Sequence, residues 1–135
     1  MAEMIMKQLV REARLQDRFV IDSAAVSTEE LGNPIYPPAL RKLHEKGIRV
    51  DSHRARQVCP SDYDRYDHLV CMDTSNLRWL SHLLPHGDPD GKVSLLLSHA
   101  GHHRDVSDPW YTGDFETAYN DIVLGCKALL KTLAE

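Results

Sequence analysis

Apolar residues recur every four positions at the start of the chain: Ile5, Leu9 and Ala13, with Met6 and Val10 beside them. Lys7, Arg11 and Glu12 take the other side. That spacing predicts one apolar stripe on a helix from Met1 to about Ala13. No strand and no N-cap residue precedes it, and an α-amino group at the positive end of the helix dipole is an unfavourable start. Phe19-Val20-Ile21 reads as a short β run. A loop with Gly32, Pro34, Pro37 and Pro38 leads to a second helix, about Pro38 to Lys46, stopped by Gly47. A third helix is predicted around Cys59 to Arg65, followed by the buried-strand candidate His68 to Met72. Asp73 to Asn76 then offers N-cap residues for a helix through Leu77, Leu80 and Leu84. Lys92 to Leu97 reads as a further strand. Phe115 to Leu133 is a long amphipathic helix carrying Ile122, Leu129, Leu130 and Leu133. Helices alternating with short apolar strands predict an α/β fold, a parallel sheet with helices on both faces. No repeat, low-complexity segment or linker divides the chain, so a single domain over 1–135 is expected.

Composition adjusts this picture only slightly. Hydrophobic residues are 42% and charged residues 27% of the 135, ordinary for a globular chain. A formal net charge of -4 argues against nucleic acid or an anionic membrane surface as the main partner. No apolar run approaches the roughly 20 residues of a membrane span, and no secretory signal is visible. Cys59, Cys71 and Cys126 form no CxxC pair; free thiols in a reducing, cytoplasmic compartment are expected. His99, His102 and His103 lack a ligand pattern of recognised spacing, so no metal and no cofactor is expected. Arg49, Arg54 and Arg56 read first as a solvated basic face and second as a peptide-binding one.

The segment from Asp105 to Phe115 carries the most chemistry. Pro109 disfavours helix at Asp108 and holds that carboxyl on an extended loop. Trp110 and Tyr111 place two large aromatic faces beside it. An exposed acid next to aromatic rings suits protonation of an aryl-ester leaving group held between them.

Six segments, in order and at plausible spacing, resemble the low-molecular-weight protein tyrosine phosphatases over essentially the whole length. They are Met1-Ala2-Glu3, Asp22-Ser23-Ala24, Gly32-Asn33-Pro34, His53-Arg54-Ala55-Arg56-Gln57, Met72-Asp73-Thr74-Ser75-Asn76-Leu77-Arg78 and Asp108-Pro109-Trp110-Tyr111. The resemblance implies a three-layer α/β/α fold with strand order 2-1-3-4, and hydrolysis of a phosphotyrosine protein or small aryl phosphate. By that resemblance Asp108 matches the general acid, and Trp110 and Tyr111 the aromatic walls of the pocket. Ser23 and His53 match residues that support the phosphate loop, and Glu29 falls where relatives place a residue setting substrate preference.

In that family a first strand leads into a Cys-x5-Arg-Ser/Thr loop, whose thiolate attacks phosphorus while loop amides and the arginine hold the phosphoryl oxygens. Both the strand and the loop are expected to be missing from these residues. Cys59 to Arg65 formally fits Cys-x5-Arg, but it places Asp62 and Asp64 inside the loop and has no glycine, so its carboxylates repel phosphate. Cys71 reads as a core thiol, and Cys126 has no arginine after it. The chain is therefore expected to be inactive as given. It is either the remainder of a phosphatase or a pseudophosphatase that binds without catalysis. A protein-arginine phosphatase is a further alternative, because the two classes differ mainly within the missing loop; an arsenate reductase would need redox cysteines that are not evident. Loss of a central strand also predicts self-association through the exposed sheet gap.

Overall fold

The first apolar stripe forms α1 (Ala2–Glu12) in the computed structural model, which describes residues 1–26, 32, 35–51 and 55–134. Met4, Ile5 and Val10 of this helix are buried against Leu43 of α2 (Pro37–Glu45) and against Ile122, Cys126 and Leu129 of α6 (Phe115–Ala134). Each fully buried aliphatic side chain contributes about 1.5–3 kcal/mol, so this cluster dominates the hydrophobic stabilisation. α2 ends where Gly47 takes φ +71, a left-handed turn that glycine enters without strain.

The sheet is small. β1 (Leu69–Cys71) pairs in parallel with β2 (Val93–Leu95), Val70 opposite Ser94. Alternation along β1 sorts its two faces. Val70 faces the α1–α6 cluster. Leu69 and Cys71 face a second cluster, built with Tyr63 of α3 (Ser61–Arg65) and with Leu80 and Leu84 in and just after α4 (Thr74–Leu83). Helices thus cover both faces, as the alternating pattern predicts. Asp73 caps α4 by accepting from the Asn76 N–H at 2.7 Å.

Two expected strands come out differently. Phe19-Val20-Ile21 keeps a strand's in–out alternation, with Phe19 and Ile21 packed on the core and Val20 83% exposed. Among the described residues it belongs to no sheet; the nearest pairing is a single parallel bridge of Ala25 to Gln57. A strand is defined by its partner, and among the described residues none lies alongside. The second strand stops at Leu95, and Leu96–Ala100 tightens into a 3-10 turn. Leu96 and Leu97 are both buried in the same cluster. Consecutive strand residues would point to opposite faces, so only a turn brings both inward.

β1 also has an open edge. Leu69 N–H donates to Lys92 O across to β2, and alternate residues of a parallel strand point opposite ways. Val70 therefore turns its N–H and C=O away from β2, toward an edge with no strand among the described residues.

Candidate active site

Asp108 is exposed on a loop that leaves the core at Val106 and re-enters structure at Pro109. Each residue before it is tethered. Val106 is buried and its N–H donates to Met72 O at 2.9 Å, fixing the loop to the end of β1. The Asp105 carboxylate accepts from the Thr74 N–H (3.0 Å) and Oγ1 (3.2 Å) at the start of α4. Ser107 N–H donates to Asp121 Oδ2 of α6 at 3.0 Å. After Asp108 the chain forms a one-turn helix, α5 (Pro109–Thr112), rather than staying extended; proline at the first helical position costs no hydrogen bond. Gly113 N–H closes on Pro109 O at 2.7 Å, and Asp114 caps α6 through Thr117 N–H and Oγ1 at 2.9 and 2.6 Å. The loop is held at both ends.

Ser23 is brought to α1. Its Oγ donates to Glu3 Oε1 at 2.6 Å, and Glu3 Oε2 accepts from Lys7 Nζ at 2.7 Å. Lys7 also reaches Asp51 at 3.3 Å. A polar network therefore ties the extended 19–24 segment to the first turn of α1. Glu3 is buried, a role that its first-turn position alone would not reveal. Glu29 and His53, the other expected pocket and loop-supporting residues, lie outside the described residues, as do the side chains of Trp110 and Tyr111.

Two of the three thiols, those of Cys71 and Cys126, are buried. Burial pushes Cys71 up to about 11, with Asp73 adding to it, and burial pushes Cys126 up to about 12. Both shifts favour the neutral thiol. Cys59 is exposed, but its N–H already donates to Asp62 Oδ2 at 2.9 Å. The segment thus turns a backbone amide toward its own carboxylate. Asp62 in turn is buried and held by Arg56 (Nη1 at 3.0 Å, Nη2 at 3.3 Å), whose guanidinium also reaches Asp22 at 3.1 Å. Arg56 is therefore a crosslink between three segments and not part of a solvated face. His99 Nε2 lies 2.8 Å from Ser94 Oγ; burial lowers this imidazole's pKa, and His68 adds to the effect.

This ordering of acid loop, sheet and flanking helices matches known proteins. The family model for low molecular weight phosphotyrosine protein phosphatase matches residues 1–135. The chain belongs to that family. The phosphatase of Gallus gallus is 37% identical over 134 residues, covering 96% of this chain and 84% of its own. The crystal structure of YfkJ from Bacillus subtilis superposes with a TM-score of 0.92 at 31% identity, covering 98% of this chain and 84% of that one. The Drosophila arginine phosphatase gives a TM-score of 0.88 at 29% identity, covering 99% and 88%. As a low-molecular-weight phosphatase chain, the molecule has the α/β architecture with a small parallel sheet that the alternating pattern implies.

Sequence reasoning missed the buried roles of Glu3, Asp62 and Asp121, reading Asp62 only as a carboxylate that repels phosphate. The signal for Asp121 was present: it interrupts the stripe Ala118, Ile122, Cys126, Leu129 on the buried side of α6. A charged residue at such a position needs a partner, and only the folded chain shows which one.

Proposed function

We propose that residues 1–135 carry the general-acid and substrate-pocket side of a phosphotyrosine monoesterase and have no nucleophile of their own. The supporting observation is the doubly anchored loop that presents Asp108 ahead of Pro109-Trp110-Tyr111. In the complete reaction Asp108 delivers its proton to the phenolic oxygen as the P–O bond to tyrosine breaks. The resulting carboxylate then takes a proton from the water that cleaves the cysteinyl-phosphate. Trp110 and Tyr111 wall the ring. Glu29 contributes to substrate preference, and Ser23 and His53 support the phosphate loop.

The test compares phenyl phosphate turnover by the 135-residue chain and by a version extended with a strand and a Cys-x5-Arg-Ser segment ahead of Met1. The short chain is expected to show no turnover above buffer, and the extended one to turn over. In the extended version Asp108→Asn is expected to reduce kcat by about 10²–10⁴-fold. Turnover by the short chain that survives Cys59→Ser, Cys71→Ser and Cys126→Ser together would overturn the mechanism. Loss with Cys59→Ser alone would make Cys59 the nucleophile.

A second reading is supported by the likeness to the Drosophila arginine phosphatase. Phosphoarginine and phosphotyrosine peptides offered to the extended chain separate the two by their kcat/KM ratio. Tight phosphopeptide binding without turnover in either version would favour a non-catalytic binding module.

The edge at Val70, with no strand alongside it among the described residues, supports pairing with a second copy of the chain. Sedimentation is expected to show a concentration-dependent dimer. A monodisperse monomer up to high concentration would rule this out.

A further inference from the structure

Asp121 is only 6% exposed and is the one charged residue among the buried positions of α6. Its carboxylate accepts three hydrogen bonds. Oδ1 takes Arg104 Nη2 at 2.8 Å; Oδ2 takes Arg104 Nη1 at 3.0 Å and Ser107 N–H at 3.0 Å. The fork from Arg104 is bidentate, the geometry that fixes direction as well as distance. Arg104 Nη1 also reaches Asp105 O at 3.3 Å. The carboxylate therefore clasps both ends of the four-residue stretch that runs directly into Asp108.

We infer that Asp121 is a positioning residue for Asp108, acting through the Ser107 peptide. The inference rests on the reading of Asp108 as the general acid. A carboxylate that served packing alone would leave its oxygens to neighbours on its own helix or to solvent. Here all three hydrogen bonds go to the approach to Asp108. The Arg104 guanidinium is the first cause that holds the Asp121 carboxyl below the usual carboxylate range, and burial opposes it. The Asp121 carboxylate thus stays ionised, an acceptor for both partners. Val106 and Asp105 set the height of the loop on β1 and α4; Asp121 sets the direction in which the chain leaves toward Asp108.

The test uses the 135-residue chain and needs no turnover. Asp121→Leu keeps side-chain volume and removes both acceptors; Asp121→Asn keeps an acceptor for the Ser107 N–H but loses the charged fork. Amide hydrogen exchange of Ser107 is expected to accelerate about 10–100-fold in Asp121→Leu, and less in Asp121→Asn, the range for losing one charge-assisted hydrogen bond. The Asp108 carboxyl carbon chemical shift at a fixed pH is expected to move with it, while core amides such as Ile122 and Leu129 keep their protection. Arg104→Gln, a change at an exposed side chain, is read in the same way and carries the test if Asp121→Leu does not fold. Unchanged Ser107 exchange, or an Asp108 signal indifferent to both Asp121→Asn and Arg104→Gln, would overturn the inference. So would loss of protection spread evenly through the core. These outcomes are independent of phosphatase activity, so failure of the catalytic reading would appear separately, in the turnover experiment.

Discussion

Gly125→Ala is expected to destabilise the chain by about 1–2 kcal/mol, although alanine is the better helix former by about 1 kcal/mol. Gly125 lies on the face of α6 that packs on the 3-10 turn. A Cβ there would sit 2.4 Å from Leu96 Cγ, with both Leu96 methyls at 3.0 and 3.1 Å. Leu96 is 1% exposed, and its branch carbon cannot swing clear as a chain tip would. Leu96→Ala alone is expected to cost about 2–5 kcal/mol through the cavity it leaves. The double variant is expected to lose less than the sum, by at least about 1 kcal/mol, because the new methyl enters the space that leucine vacates. Urea unfolding of the four proteins measures the cycle. A Gly125→Ala protein more stable than the parent would show that Leu96 yields freely, and the packing account would fail.

Arg56→Ala is expected to cost about 2–3 kcal/mol at pH 7. Breaking a buried ion pair costs about 3–5 kcal/mol, and the figure is reduced here because the Arg56 side chain is 34% exposed and partly screened. Asp62, 4% exposed, would keep Cys59 as its neighbour but lose its cation. The pH dependence has a definite sign. Burial by itself raises Asp62, but the Arg56 guanidinium and the Cys59 N–H outweigh it and hold the carboxyl below its usual range. A depressed folded pKa contributes stability that is present above the unfolded value of about 3.9 and is lost as pH falls through the folded value. The gap between parent and Arg56→Ala should thus be full at pH 7 and shrink below about pH 4. A gap constant from pH 7 to pH 3 would mean that the arginine acts by packing its aliphatic stem.

Much of the architecture was legible because helices are local. The stripe Ile5, Leu9, Ala13 foretells α1 within a residue at either end, Gly47 marks the end of α2, and Asp73 announces the cap of α4. The acid loop was legible for a different reason: Asp108-Pro109-Trp110-Tyr111 is a continuous motif in a recognisable order. Strands were harder to read. Phe19-Val20-Ile21 has the right alternation but no strand partner among the described residues, and Leu96-Leu97 has the right composition but turns inward as a pair.

Charge pairing was the least legible feature. Arg56 looked solvated by composition, yet it joins Asp22, 34 residues away, to Asp62. Asp121 and Arg104 are 17 apart, and Ser23 and Glu3 are 20 apart. No periodicity links such positions.

The sequence by itself determined the helices, the cap of α4 and the continuous segment Asp108-Pro109-Trp110-Tyr111. Each of these depends on residues within a turn or two of one another, where backbone geometry fixes who meets whom. Tertiary structure alone decided which carboxylates are buried, which cations hold them, and that Asp121 clasps the approach to Asp108. Those pairings form only after apolar burial has brought distant elements together, and a buried charge then takes whichever partner the packing has left within reach.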